Sequence, residues 1–248
     1  MSRSVAVPTA VNYRGVRLSV WLGIAMTGAT VILTAVAAAG HARLAWILMG
    51  VGVVFLSGLY DDSRPHRTRG MRNQLAALRR REITPGVVKL VAIGSASAFT
   101  AWMLGARGGR FVLGAAVMAG CANLWNLLDV RPGRALKAFI PAAIALAVTV
   151  GSSAAWLFGG LAAAAAVGLP FDLRERSMLG DCGANVLGFV IGVGTFLVVP
   201  TVWLGIVLAA LVVLHVVADT ITLSRLIDRT PPLRFIDGLG RKKFSAGD

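Results

Sequence analysis

The sequence has few acidic residues, few cysteines and few charged residues of any kind. Asp and Glu account for 11 of the 248 residues, and all charged residues together make up 15% of the chain, whereas soluble domains have about 25%. Together with 56% hydrophobic residues and a mean hydropathy of +0.75, this scarcity excludes a disordered chain, a collagen-like chain and an ordinary soluble globular protein. The two cysteines, Cys121 and Cys182, provide neither a disulfide framework nor the spacing of a metal site, and we interpret them as small apolar packing residues.

The charges that are present are mostly positive. The chain has 25 Lys and Arg residues and a formal net charge of +14. A strongly basic chain is typical of nucleic-acid binding, but a protein of that class would not carry this much apolar sequence, so no nucleic-acid partner is predicted. The composition indicates a polytopic membrane protein whose arginines lie at the cytoplasmic face, close to anionic lipid or to phosphate-bearing substrates.

Long charge-free runs predict the membrane spans, since a spanning helix needs about 20 mostly apolar residues. The runs cover residues 18–40, 44–60, 90–106, 111–128, 138–171 and 182–218, and the last one continues to residue 223 across Asp219. Two of these runs are too long for one crossing, and we expect breaks at residues 151–153 and at Pro200. The predicted fold class is therefore all-α: a single membrane domain over residues 1–248, built as a bundle of about eight transmembrane helices.

The distribution of Lys and Arg predicts the orientation. These residues concentrate in the N-terminus, in loops 61–83, 129–137 and 172–181 and in the tail after residue 223, whereas the alternate loops hold only Arg43, Arg107 and Arg110. The positive-inside rule then places both termini in the cytoplasm, in a multi-pass protein of the cell (inner) membrane. All 11 acidic residues also fall on or near this face. Because acidic residues contribute little to topology, their position indicates a cation site or a phosphate-handling site.

Polar residues at the cytoplasmic ends of two spans are candidates for that site. Asp61 and Asp62 directly follow the second span, and adjacent carboxylates repel each other unless a positive group lies nearby; a solvated helix boundary is the alternative. Asn123 and Asn126 share a helix face just before Asp129. These amides serve either as helix–helix contacts or as a polar patch that orients a ligand.

A third candidate, Asp181, begins the seventh span in the sequence Gly180-Asp181-Cys182-Gly183. Its carboxylate is interpreted either as a helix N-cap or as part of a site where the glycines let the backbone approach a ligand.

Eight spans place these four carboxylates on one side of the membrane. Several carboxylates that converge at a membrane face suit Mg²⁺, which keeps some of its waters and bridges substrate phosphates. Arg64 and Lys89 are candidates for binding the remaining phosphate charge.

Four stretches, in order, resemble the polyprenyl-phosphate N-acetylhexosamine-1-phosphate transferase superfamily, which includes the bacterial phospho-MurNAc-pentapeptide translocase. Asn12-Tyr13-Arg14-Gly15 is similar to a cytoplasmic segment of that family. Asp61-Asp62 is similar to its paired aspartates, and residues 74–90 to the amphipathic segment after them. Residues 123–129 fit its motif N-x-x-N-L-x-D, and residues 180–183 fit its motif G-D-x-G.

The resemblance implies a Mg²⁺-dependent reaction in which a sugar-1-phosphate moves from a UDP-sugar to a polyprenyl phosphate, with release of UMP. It implies Asp181 as the Mg²⁺ ligand, and it places Asp61 and Asp62 near the lipid phosphate, one of them as a base. It further implies that Asp129 lies near the nucleotide-sugar. The remaining residues that the resemblance assigns to substrate binding are Asn12, Arg14, Asn123, Asn126, Arg64 and Lys89.

The chain also departs from the family pattern. Val130-Arg131-Pro132-Gly133 stands where the family continues its third motif towards a second Asp, Ala184 replaces a Ser, and the histidine-rich loop is missing. The resemblance is therefore to a shortened and diverged member. Two other functions stay open: a non-catalytic lipid-phosphate-binding or partner-binding subunit of envelope assembly, and a small transporter that uses His215 and Asp219 as a proton relay. The resemblance leaves a homodimer open.

Overall fold

The computed structural model describes residues 8–39, 42–64, 76, 79–82, 84–221 and 223–241. Apart from one small hairpin, the regular structure in these residues is helical. Strands β1 (Thr9–Val11) and β2 (Arg17–Ser19) pair antiparallel, with Thr9 opposite Ser19. The helices are α1 (Trp21–Ala38), α2 (Ala42–Asp62), α3 (Pro85–Met103), α4 (Gly108–Leu128), α5 (Arg134–Thr149), α6 (Ser152–Leu173), α7 (Gly180–Val198), α8 (Thr201–Ile221), α9 (Leu223–Arg229) and α10 (Pro231–Gly238).

Seven of the described helices are long and apolar enough to span a membrane, so the chain is a multi-pass helical membrane protein. The predicted helical class is thus confirmed, and the count of about eight spans stays a prediction. Helix α5 has 16 residues, which is shorter than the about 20 that a bilayer needs, although it packs against α6 and α7 inside the bundle.

Both expected breaks in the long apolar runs are present. Val150 has an extended backbone and separates α5 from α6. Val199 is likewise extended, and Pro200 separates α7 from α8. The second break fits the chemistry of proline, which cannot donate a backbone hydrogen bond to a continuing helix. These turns bring each following helix back through the bundle.

Helix α7 forms the centre of the bundle. Along its apolar stretch, 78% of the residues are buried, and the helix packs against α1, α2, α4 and α5. Glycines permit this close packing: a Cβ atom at Gly192 would lie 2.6 Å from the Cα of Met118 in α4, and one at Gly58 in α2 would lie 2.6 Å from the Cα of Cys182. Small residues at helix contacts are the usual means of close packing in lipid.

At the end of the bundle where α7 finishes, two arginines contact the helix ends. Arg110 donates hydrogen bonds to the carbonyls of Phe196 (2.7 Å) and Val199 (3.1 Å). The guanidinium of Arg107 lies 3.6 Å from the centroid of the Trp102 ring. Basic groups at a helix C-terminus satisfy carbonyls that lack partners within the helix, so these arginines have structural roles.

Candidate functional site

A cavity of about 680 Å³ lies at the opposite end, where α2, α4 and α6 finish and α7 begins. Its wall contains Asp61, Asp62, Asp129 and Asp181, the four carboxylates singled out in the sequence. The hairpin β1–β2 and the segment 129–132 complete much of the wall. Residues that are far apart in the chain are therefore brought to one opening at the end of an apolar bundle.

Lys89 of α3 joins two of these carboxylates. Its Nζ lies 2.5 Å from Oδ2 of Asp61 and also contacts Oδ2 of Asp181. The lysine and Asp61 side chains are 7% and 3% exposed, whereas Asp181 is 20% exposed. A buried ammonium group requires opposite charge close by, and the two carboxylates provide it. Of the three groups, Asp181 is the most open to the cavity.

Asp62 fixes the first turn of α7. Its Oδ1 accepts a hydrogen bond from the backbone N–H of Asp181 (2.9 Å), and its Oδ2 accepts one from the N–H of Cys182 (3.0 Å). These N–H groups have no partners within the helix, and a carboxylate there is also favoured by the helix dipole. The N-cap interpretation of Asp181 is therefore wrong: Leu179 is the N-cap residue, and Asp181 lies in the first helical turn.

A glycine is needed immediately before Asp181. Gly180 has a φ of +61°, and a Cβ atom there would lie 2.8 Å from Oδ2 of Asp62. Both the left-handed backbone and the close approach favour glycine. The Gly-Asp pair of the sequence motif thus has a structural reason, because the glycine lets Asp62 reach the helix end.

Asp129 follows α4 and lines the cavity. It forms no ion pair with any residue in the described part of the chain. Burial raises the pKa of the Asp129 carboxyl well above its usual range, and the negative charges of Asp172, Asp181 and Asp62 raise it further. Asn126 also lines the cavity, whereas Asn123 is not among the described residues of its wall. The predicted amide pair is therefore split.

Two residues that were predicted to bind substrate, Asn12 and Arg14, form contacts that hold the hairpin. Oδ1 of Asn12 accepts hydrogen bonds from the N–H groups of Arg14 (2.9 Å) and Val16 (3.0 Å), and its Nδ2 donates to Glu175 (3.4 Å). Arg14 lies 3.5 Å from the same glutamate. Asn12 lines the cavity and Arg14 is not among the described wall residues, so both side chains hold the hairpin to the loop after α6.

Arg64 lines the cavity, and its guanidinium lies 4.8 Å from the centroid of the Tyr60 ring. Of the amphipathic segment predicted over residues 74–90, residues 74, 75, 77, 78 and 83 lie outside the described residues. The side chain of Asp219 also lies outside the described part of the chain. His215 is described: its Nδ1 lies 2.7 Å from the carbonyl oxygen of Leu211, and it is not part of the described cavity wall.

Asp172, Glu175 and Arg131 also line the cavity and were not singled out as site residues from the sequence. Asp172 is buried and accepts a hydrogen bond from the N–H of Gly133 (2.8 Å). Glu175 has a φ of +51°, which is a strained backbone for a residue with a side chain. Arg131 stands directly after Asp129 and Val130. The one-sided distribution of the acids is the sequence signal that could have added Asp172 and Glu175 to the candidates.

The predicted Mg²⁺ site can be compared with the donor atoms present. Among the described residues, no group of three or more His, Cys, Asp or Glu side chains is arranged to hold a metal ion. Asp61 and Asp181 nevertheless direct one carboxylate oxygen each to a single point, where Lys89 Nζ lies. Mg²⁺ is commonly bound by one or two carboxylates and completes its shell with phosphate oxygens and waters. The Lys89 ammonium group occupies that point, so the two carboxylates fit an ion only where the lysine turns away to another anion, such as a substrate phosphate.

No protein-family model, no curated protein and no solved structure matches the chain. The resemblance to the sugar-phosphate transferases therefore depends on the motifs, and a function must be argued from the geometry of the cavity.

Proposed function

We propose that the protein transfers a HexNAc-1-phosphate from a UDP-sugar to a polyprenyl phosphate at the cytoplasmic face of the membrane, in cell-envelope glycan synthesis. The observation that carries the proposal is the meeting of Asp61, Asp62, Asp129 and Asp181 with Lys89 in one cavity at the end of an apolar bundle. A lipid phosphate can reach such a cavity from the bilayer, and a nucleotide-sugar can reach it from water.

The contacts of each side chain suggest its role in the proposed reaction. Asp181, the more open carboxylate, would hold Mg²⁺ with Asp61 once Lys89 turns towards the lipid phosphate, and the ion would offset charge on the pyrophosphate of the donor. Asp62 holds the start of α7 and so positions Asp181. Lys89 lies between the two carboxylates and supplies positive charge to the incoming lipid phosphate. Asp129 and Asn126 face the donor from the end of α4.

The transfer itself needs mainly position and charge. An oxygen of the lipid phosphate attacks the sugar-bearing phosphorus of the donor, and the bond to UMP breaks. Such phosphoryl transfers are accelerated by alignment of the reactants and by stabilisation of negative charge. Asp61 and Asp62 remain the candidates for a base that keeps the lipid phosphate ionised.

A second candidate is supported by the same lysine. Lys89 already pairs with Asp61 and Asp181, and the described residues contain no group of three metal-binding side chains. A cavity with its charges compensated in this way suits a subunit that binds a lipid phosphate or a protein partner without catalysis. The two candidates differ in whether UMP is produced.

The test is an assay of UMP release by the purified full-length protein with undecaprenyl phosphate, a panel of UDP-HexNAc donors and Mg²⁺. We expect D181N and D61N to lower the rate by about a hundredfold or more, the usual size of an effect on charge stabilisation. The matched control is E82Q, because Glu82 is exposed and lies outside the described cavity wall. Unchanged turnover in D181N would exclude the assigned metal ligand. Absence of UMP with every donor, combined with binding of undecaprenyl phosphate, would favour the non-catalytic subunit.

A further inference from the structure

The segment that joins α4 to α5 has a fixed backbone and carries Arg131, whose side chain is 28% exposed. The N–H of Gly133 donates to Asp172 (2.8 Å), and the carbonyl of Pro132 accepts a hydrogen bond from Arg241 (3.1 Å). Gly133 itself has a φ of +76°, which glycine adopts without strain. The backbone on the C-terminal side of Arg131 is thus held from two directions, and the guanidinium is the part of this residue that can move.

Arg131 belongs to a cluster in which positive charge is in excess. Asp237 of α10 is buried and accepts hydrogen bonds from Arg134 (2.8 and 3.1 Å) and Arg241 (2.7 Å). Arg131 lies farther from the same carboxylate, at 3.8 Å. Asp237 therefore has two close guanidinium partners without Arg131, and the third arginine depends on another anion.

That anion in the structure is Asp228 of α9. Both oxygens of Asp228 accept hydrogen bonds from the two terminal nitrogens of Arg131, each at 2.8 Å. The Asp228 side chain is 42% exposed and the Arg131 side chain 28% exposed. The pair is bidentate, which is the stronger arrangement of such contacts, but its exposed carboxylate is hydrated and its attraction is screened by salt. An anion of higher charge can therefore replace the carboxylate.

The position of the pair favours such an exchange. Arg131 lines the cavity, whereas Asp228 is not among the described wall residues, so Arg131 connects the cavity wall to a carboxylate outside it. Lys89, the buried cation of the wall, is already placed between two carboxylates. Arginine has the planar fork that binds a phosphate as it binds a carboxylate, through two parallel hydrogen bonds.

We propose that Arg131 is an anion-binding residue of the cavity and that its guanidinium exchanges Asp228 for a phosphoryl group of the ligand. The ligand class is a phosphate monoester or a diphosphate, either of a soluble molecule or of a lipid headgroup. The identity of the natural ligand rests on the proposed function, but the anion site itself does not.

The experiment measures binding of inorganic pyrophosphate to the full-length protein in phosphatidylcholine nanodiscs by isothermal titration calorimetry. We expect R131A to weaken binding by roughly tenfold or more, the loss of a charge-assisted pair of hydrogen bonds. D228N is expected to strengthen binding several-fold, because it removes the competing carboxylate. The control R225A removes the same charge from an exposed arginine of α9 and is expected to leave the affinity nearly unchanged.

The opposite signs of the two variants distinguish an anion site from a structural ion pair. If the Arg131–Asp228 pair only stabilises the segment, R131A and D228N change the affinity in the same direction, and the proposal is overturned. An affinity in R131A equal to that in R225A overturns it as well. Should R131A fail to fold, R131K and D228N give the same comparison, with weaker binding expected in R131K, whose ammonium lacks the fork.

Added phosphatidic acid, a lipid phosphate monoester, distinguishes the two sources of the phosphoryl group, with phosphatidylglycerol, an anionic diester, as the control for surface charge. If a lipid headgroup occupies Arg131, phosphatidic acid lowers the pyrophosphate affinity of the wild type more than phosphatidylglycerol does, and R131A does not show this difference. If a soluble ligand occupies it, the two anionic lipids have the same effect, and the loss of affinity in R131A still supports the anion site. The assay of UMP release fails or succeeds separately, so loss of the proposed function with Arg131-dependent binding intact leaves this site standing.

Discussion

Helices α7 and α8 are neighbours in the sequence but differ in their surroundings. Helix α8 is the more apolar, with a mean hydropathy of 2.5 against 1.6 for α7, yet only 11% of its span is buried, compared with 78% for α7. In water the more apolar helix would be the buried one. In lipid, apolar side chains gain nothing by leaving the solvent, so close packing and polar contacts decide which helix is central.

The glycines and the polar end of α7 explain why this helix, and not α8, lies at the centre of the bundle. A Cβ atom at Gly192 would collide with the backbone of α4, whereas one at Gly205 in α8 would meet nothing within 4 Å. Asp62 and Lys89 also bind the start of α7 from two other helices. The following predictions test this difference, from the largest expected effect to the smallest.

The substitution K89M should have the largest effect. It leaves the buried Asp61 carboxylate and the partly exposed Asp181 carboxylate without the ammonium group between them, and removal of one member of a buried ion pair lowers the free energy of unfolding by about 3–5 kcal/mol. The measurement is thermal unfolding of the purified protein in detergent. The triple variant K89M/D61N/D181N should recover part of the loss, because it buries no uncompensated charge; recovery of nothing would contradict this explanation.

The substitution G192A should be next in size. Its methyl group would lie 2.6 Å from the Met118 Cα, and overpacking of this kind costs about 1–3 kcal/mol. The matched variant G205A in α8 meets open space and should be neutral or stabilising by up to about 1 kcal/mol, the helix propensity of alanine over glycine. The same unfolding assay compares them. Equal changes in unfolding temperature for G192A and G205A would refute the proposal that close packing at Gly192 holds α7 against α4.

A smaller effect is expected in the segment that follows α8. Burial tends to raise the pKa of Asp237, but the hydrogen bond from Arg134 and the nearby arginine charges lower it overall. A lowered pKa means that this carboxylate stabilises the fold above the pKa of the unfolded chain and that the contribution is lost as the pH falls. D237N should therefore increase hydrogen exchange in α9 and α10 near neutral pH. The difference from wild type should shrink towards acidic pH; a difference independent of pH would contradict the charge effect.

The smallest expected effect has the opposite sign. The raised pKa of Asp129 means that its ionised form opposes folding, since the folded state holds the proton more tightly than the unfolded chain does. D129N should raise the unfolding temperature slightly at pH values above the pKa of the unfolded aspartate, and the gain should vanish in acid. Thermal unfolding with a chelator present, across a pH series, measures it. A loss of stability at neutral pH would show that the carboxylate is needed for the fold.

Much of the fold could be predicted because proline, glycine and charge mark the ends of apolar runs. The break at Pro200 and the one before Ser152 were both predicted from composition. The predicted count of about eight spans includes α5, whose 16 residues are fewer than the about 20 that a spanning helix needs. The hairpin was not predicted, since strands of three residues are too short to show an alternating pattern.

The carboxylates of the candidate site could be predicted from the sequence, but the residues that pair with them could not. Asp61, Asp62, Asp129 and Asp181 end or begin spans, so a count of crossings places them together. Lys89 was expected only to bind phosphate, and its contact with two acids far away in the chain depends on how three helices pack. Arg131, Asp228 and Asp237 meet through C-terminal helices whose position no local pattern specifies.

The contacts of Lys89 have a consequence for biosynthesis. Its partners belong to the second and the sixth of the seven long apolar helices, and Asp181 is translated well after Asp61 and Lys89. Until α7 is added, Asp61 is the only one of these two partners that Lys89 can bind. A ribosome stalled before α7 would therefore leave a bundle without its most buried helix and a cavity without Asp181.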